Sequence, residues 1–207
     1  NFKNIIAIAA HTKLIEIGKD KEFNEAKILV VTWAFKNSFK EDGSFFDKYF
    51  NENSKNLKDS YWVLISTDNY VPSNLNSNLK LLITKKSFFK YSFFSFFKIL
   101  FTTIFECRFS IKKIFHYFSS STYFAEQMSS VIKNILKKNN FCKILMPYEA
   151  QPFQNKIFLE AKKYNKKIST FGYIHSMLTP VPCDFIFRNG APDLLFVHGS
   201  SQVNILT

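Results

Sequence analysis

Glycine is scarce in this chain: five occur in 207 residues, and none falls in a GxGxxG, Walker-type or GxSxG run. A phosphate-cradling loop needs glycine wherever backbone must approach the ligand closely, so the chain is not read as a nucleotide binder of that kind, and a nucleophile elbow is excluded on the same ground. Cysteine is also sparse. Cys107, Cys142 and Cys183 are odd in number, far apart and without CxxC spacing, which argues against a disulfide framework and a zinc ribbon and fits a reducing cytoplasm. None of His11, His116, His175 and His198 has a Cys, Asp or second His at ligand spacing, so no metal site is expected. The amino-terminal stretch shows no secretory pattern of charged start, short apolar middle and small-residue cleavage site.

What is present suits a folded domain. At 46% hydrophobic and 21% charged residues, the chain has the length and composition to bury a substantial core as one domain. It begins on Asn1, and Gln202 to Thr207 stops in what reads as an apolar helix, so the expectation is a piece of a longer chain. The net charge of +12 and the isoelectric point near 9.5 suit an anionic partner. Abundant Lys, Asn, Phe and Ile are also what AT-rich codons supply, and that explanation competes with a purposeful basic surface.

Lys27 to Trp33 is short, β-branched and continuously apolar, the pattern of a strand buried on both faces of a parallel sheet. Ile5 to Ile17 is open between helix and strand. Asp42-Gly43-Ser44 reads as a turn, and Phe45, Phe46, Tyr49 and Phe50 at helical spacing predict a short helix to about Asn51. Tyr61 to Ser66 and Leu79 to Thr84 read as further strands. Lys85 to Phe118 interleaves Phe pairs with Lys and Arg. Lys90 and Lys98 interrupt it, whereas a spanning helix needs about 20 nearly uncharged residues. It reads either as a helix lying in a headgroup layer or as helices packed on the sheet with a solvated basic face. Phe124, Met128, Val131, Ile132, Ile135 and Leu136 mark an amphipathic helix. Then come Lys143 to Pro147 as strand, Pro152 to Tyr164 as helix, Lys167 to Tyr173 as strand and Asp193 to His198 as strand, with Gly199-Ser200-Ser201 opening another helix. Such alternation predicts an α/β fold: a doubly wound, Rossmann-like parallel sheet with helices on both faces.

Open parallel sheets bind ligands at the carboxyl ends of their strands. Three such ends here carry polar residues: Tyr148-Glu149, His175-Ser176 and His198-Gly199-Ser200. Glu149 and His175 leave consecutive strands, and a carboxylate and an imidazole in one crevice can act as general base and as proton or anion partner. Each has a plainer alternative. Glu149 precedes a helix and can serve as a capping charge on its dipole, and His198 can be a strand-end histidine. His175 precedes the irregular, Pro-rich stretch Thr179 to Pro182, where function is often carried by loops.

The run Pro147-Tyr148-Glu149-Ala150-Gln151-Pro152-Phe153-Gln154, then Phe171-Gly172-Tyr173-Ile174-His175-Ser176, then Pro192-Asp193 leading to Val197-His198-Gly199, resembles the N-terminal domain of GT-B fold glycosyltransferases of bacterial surface polysaccharide and lipopolysaccharide synthesis. Gly43 to Phe50 is similar to a motif of such proteins. The resemblance implies an acceptor-side domain, with the nucleotide sugar held by a second, C-terminal domain and no cofactor in this one. It implies Glu149 as the base that deprotonates the acceptor hydroxyl, and His175 as a neighbour that orients the acceptor or steadies donor phosphate. Tyr148, Gln154 and Tyr173 would line the cleft, and Ser176 and His198 join them as substrate-binding residues. Ile174 stands where the family pattern has Gln. The partners implied are a glycan or lipid-linked acceptor and an anionic membrane surface, with the protein in the cytoplasm or peripheral at the inner membrane. A non-catalytic membrane-surface scaffold is the alternative. Nucleic acid ranks last, because adjacent Phe pairs are not spaced stacking platforms.

Overall fold

The computed structural model describes residues 10–18, 26–88, 101, 120–175, 189–199 and 203. Most of the Phe-rich segment, Ser176, Thr179 to Pro182 and the helix expected from Gly199 onward lie outside them, as does Ile5 to Ala9.

The chain is α/β, built on a seven-stranded, mostly parallel sheet. In chain order the strands are β1 (Ala10–Ile17), β2 (Ile28–Trp33), β5 (Ser60–Ser66), β6 (Leu79–Phe88), β7 (Lys143–Pro147), β8 (Ser169–Tyr173) and β9 (Leu194–Phe196); β3 (Phe46–Asp47) and β4 (Glu52–Asn53) form a separate small hairpin. Spatially the order is β1-β6-β5-β2-β7-β8-β9. Numbered by chain position, the six parallel strands run 3-2-1-4-5-6, the order of Rossmann-like sheets, whose switch point lies between the first and fourth. Here that is between β2 and β7.

The central strands read as apolar runs because both their faces are covered; every residue of β5 is buried. Leu29, Val31, Tyr61, Val63, Ile144 and Met146 pack under helices α1 (Ser120–Lys138) and α2 (Pro152–Tyr164). The amphipathic spacing read from Phe124 to Leu136 is the face that α1 buries: Met128, Val131, Ile132, Ile135 and Leu136 are in the core. On the opposite face Val30, Trp62, Leu64, Leu81 and Ile83 meet Phe45, Phe39, Phe50, Leu57 and Leu75. Both described helices therefore share one face. Among the described residues the other face is covered mainly by the segment between β2 and β5, with Leu75 of the β5–β6 connection, where helices on both faces were expected.

Two local expectations change. The open stretch Ile5 to Ile17 resolves, over Ala10–Ile17, as a strand antiparallel to β6, and β6 itself continues through Lys85–Phe88, which the charge pattern had placed in a helix. The helix expected over Phe45 to Asn51 is instead the β3–β4 hairpin. Asp47 decides this. Its Oδ1 accepts the backbone N–H groups of Tyr49 (2.8 Å) and Phe50 (2.7 Å), and its Oδ2 accepts the Thr32 hydroxyl at 2.6 Å. A carboxylate that takes N–H groups two and three residues on offers the backbone an alternative to the helix. The chain then turns through Asn51 at φ 53°. The helical spacing of the aromatics misleads because they serve two sites: Phe45 is buried against Trp62, while Tyr49 and Phe50 reach the strand ends.

Asp47 is wholly buried. Burial pushes its carboxyl above the ordinary 3.8, and the three hydrogen bonds only partly oppose that. Its contribution to stability is fully present below pH 3.8 and lost as pH rises through the raised folded value. Asp47→Ala leaves two backbone donors and a hydroxyl unmet, so urea unfolding should show a loss of about 3 kcal/mol. Asp47→Asn keeps one acceptor oxygen and removes the charge. The stability of wild type relative to this variant should fall as pH rises through that window, measured by the same unfolding curves at stepped pH.

Candidate functional site

Parallel pairing carries side chains to the sheet's carboxyl edge at matched heights. Pro147 pairs with Tyr173, and Tyr173 with Phe196. Two residues further along each strand lie Glu149, His175 and His198. They follow three consecutive parallel strands in one register and, by the alternation of side chains, point to one face. The register thus brings Glu149 and His175 together: Oε1 of Glu149 lies 3.5 Å from Nε2 of His175. Glu149 follows β7, at the switch point.

Gln154 holds the backbone under Glu149. Its Oε1 accepts the N–H groups of Glu149 (2.9 Å) and Gln151 (3.0 Å), and its Nε2 donates to the Pro147 carbonyl at 2.7 Å. Gln154 thereby makes the reach-back cap of α2, so the Glu149 carboxylate is not occupied as that cap. It accepts Gln151 Nε2 on Oε2 at 2.9 Å and turns Oε1 to the imidazole. Ala150 between them takes φ 53°, a strained value for a residue with a Cβ. Pro152 opens α2, where its missing N–H costs nothing.

His175 is packed from the side by the hairpin: the Tyr49 ring meets it edge-on, with centroids 4.5 Å apart and planes at 75°. Its Nδ1 is buried with no hydrogen-bond partner among the described residues. Burial, then the carboxylates of Glu149 and Asp47, raise the Tyr49 phenol above its ordinary 10.0, so it stays an O–H donor through the neutral range. Below His175 on the same face of β8, Tyr173 packs against Phe50 at 5.6 Å, and its hydroxyl lies 3.0 Å from His198 Nε2. Two residues lower on β8, Phe171 stacks on Phe196.

At the other end of these strands, Asp193 ties the start of β9 to the start of β8. Its Oδ2 accepts Thr170 N–H at 2.8 Å, and its own N–H donates to the Thr170 hydroxyl at 2.9 Å. Burial works to raise its carboxyl, but hydrogen bonds from Lys162 and Thr170 outweigh it and hold the group below the ordinary range. Gly172 is required for close approach, since a Cβ there would stand 2.9 Å from both Tyr148 Cβ and Pro192 Cγ.

Of the residues singled out from sequence, Glu149, His175, Tyr173 and His198 gather at one edge, and Ser176 lies outside the described residues. Tyr148 and Gln154 were expected to line the cleft and do not. Tyr148 has no exposed surface and its hydroxyl donates to Asn155 Oδ1 at 2.8 Å; Gln154 is buried as the clamp described above. Ile174, at the position that departs from the family pattern, points the other way into the helix-side core. Sequence reasoning missed Tyr49 and Phe50 as site residues, because their spacing was read as a helix. The signal available was Asp47 itself, two residues before Tyr49, a side chain that favours turns.

Comparison with protein-family models, with curated proteins and with solved structures finds no match for this chain.

Gln154→Ala should lower unfolding free energy by about 2 kcal/mol, since one buried carbonyl and two part-buried N–H groups lose their partner. Amide exchange at Glu149 and Gln151 should quicken more than exchange in β5. Equal acceleration at all three would mean that the clamp has no local effect.

Proposed function

We propose that this chain is the acceptor-binding half of a GT-B-type glycosyltransferase of cell-surface polysaccharide or lipopolysaccharide synthesis. The observation that carries the reading is the Glu149–His175 pair at the carboxyl edge beside the switch point, with one carboxylate oxygen held by Gln151 and the other facing the imidazole at 3.5 Å. Crevices at this position of an open α/β sheet are where ligands bind, and a partly exposed, braced carboxylate is suited to take a proton from a bound hydroxyl.

On this reading Glu149 accepts the proton of the acceptor hydroxyl while the hydroxyl oxygen forms a bond to the anomeric carbon of the donor sugar. The bond from that carbon to the nucleotide phosphate breaks, and the nucleotide leaves. A second α/β domain supplies the donor site, which agrees with the lack of a glycine-rich cradle in this sequence. His175, steadied by Tyr49, orients the acceptor or the departing phosphate. Tyr173 and His198 form the adjoining wall.

In the full-length protein, Glu149→Gln should reduce sugar transfer by about 10²–10⁴-fold, the range of a lost general base, with an unchanged melting temperature. His175→Ala should lower it less. Transfer assays with a panel of nucleotide sugars and lipid-linked glycans give the readout. Full transfer by Glu149→Gln would remove the base assignment and favour the scaffold alternative.

A further inference from the structure

The pole of the sheet opposite the cleft is a lysine surface. Helix α1 ends on Lys137 and Lys138, and α2 on Lys162 and Lys163. Lys166 and Lys167 occupy the turn into β8, and Lys27 and Lys143 lead into β2 and β7. Backbone bonds knit these starts together: Cys142 and Lys143 both donate to the Lys27 carbonyl, at 2.9 and 3.2 Å, and Ser169 donates to the Cys142 carbonyl at 2.9 Å. Among the described residues the carboxylates here are Glu160 and Asp193, ion-paired with Lys163 and Lys162, so eight described lysines against two carboxylates leave +6. Lys58 and Asp59 at the start of β5 cancel. Around the cleft the exposed described charges balance, Lys36 and Lys48 against Asp68 and Glu149.

Helix dipoles account for lysines at the ends of α1 and α2. They do not account for Lys27, Lys143, Lys166 and Lys167, all exposed, on strand starts and a turn. Nor does a uniformly lysine-rich composition, since the described exposed charges at the cleft balance.

We propose that this pole docks the protein on an anionic lipid bilayer. Its described cations are all lysines, compact hydrated point charges that suit a plane of headgroups, with no arginine fork for bidentate phosphate reading among them. Tyr164 is its exposed large aromatic, a residue type that settles at membrane interfaces and too little for a row of base-stacking platforms. The surface shares no residue with the Phe-rich segment and stands independently of the glycosyltransferase reading. It also fixes an orientation. Helix α2 runs from beside Glu149 to the pole over 13 residues, roughly 20 Å. A docked protein therefore holds its cleft about that far off the membrane, where it meets the outer part of an extended ligand and not a group at the lipid surface.

The test is co-sedimentation of the full chain with vesicles of phosphatidylcholine alone or mixed equally with phosphatidylglycerol. Binding should require phosphatidylglycerol and vanish in 1 M salt, where the Debye length is about 3 Å. A lysine near an anionic surface strengthens partition about five-fold, so Lys143→Glu/Lys166→Glu/Lys167→Glu should weaken it on the order of 100-fold or more, while Lys36→Glu/Lys48→Glu retains it. If the triple variant does not fold, acetylation footprinting of wild type replaces it: vesicles should protect Lys143, Lys166 and Lys167 and leave Lys36 and Lys48 reactive. Equal binding to neutral vesicles, wild-type binding by the folded triple variant, or no protection at the pole would each overturn the proposal. Displacement from vesicles by duplex DNA at equal phosphate would overturn the lipid assignment in favour of a nucleic acid.

Discussion

The shared register of β7, β8 and β9 is the constraint from which the site follows. Side chains along a strand alternate between faces, so one pair of matched residues fixes the neighbours of all the rest on that face. With Pro147 opposite Tyr173, Glu149 and His175 must meet beyond the last ladder bonds. A one-residue slip would turn Glu149 to the helix side and bury it in the Phe153 and Ile157 core. The same slip would also drive Gly172 out of the gap between Tyr148 and Pro192 that only a residue without a Cβ fits. Packing against the helices and chemistry at the edge thus select the same register.

Asp47 is the second constraint, and it works against its own solvation. Burying a carboxylate is costly unless its oxygens are met, and here two backbone N–H groups and a hydroxyl meet them. Burial still wins, so the carboxyl is raised. What the arrangement secures is position: a rigid turn that presses Tyr49 on His175 and Phe50 on Tyr173. Removing the charge would be tolerable to the core. Removing the acceptor would release the turn, and with it the side wall of the imidazole.

Much of the fold was legible because its signals are local. Continuous apolar runs for β2 and β5, the spacing of α1, and the strand-helix-strand order from Lys143 to Tyr173 all depend on periodicity within one segment. So did the prospect that Glu149, His175 and His198 share an edge, since it needs only parallel strands of similar length. The misses are long-range. Whether Phe45, Tyr49 and Phe50 lie on a helix or a hairpin turns on Asp47 meeting Thr32 fifteen residues away. That Tyr148 is core while Glu149 beside it is exposed follows from the Asn155 hydrogen bond on the next helix. Polar side chains near a strand end look alike in sequence, whether they bind a ligand or hold the backbone.

Helix α2 joins the two ends of the molecule and makes their characters complementary. Its amino end, capped by Gln154, leaves the Glu149 carboxylate free to face His175, and the positive end of a helix favours negative charge beside it. Its carboxyl end favours cations, which Lys162 and Lys163 supply. Strand starts and the α2–β8 turn then add Lys27, Lys143, Lys166 and Lys167 to the same side. A parallel sheet with antiparallel helices on it has all helix carboxyl ends at the pole opposite its ligand-binding edge. The fold's own dipoles therefore begin a basic surface there, and the exposed lysines of the strand starts and the α2–β8 turn enlarge it beyond what dipoles call for. Parallel topology thus sets a lysine-bearing pole and an aromatic-walled carboxyl edge at opposite ends of the sheet, joined by α2.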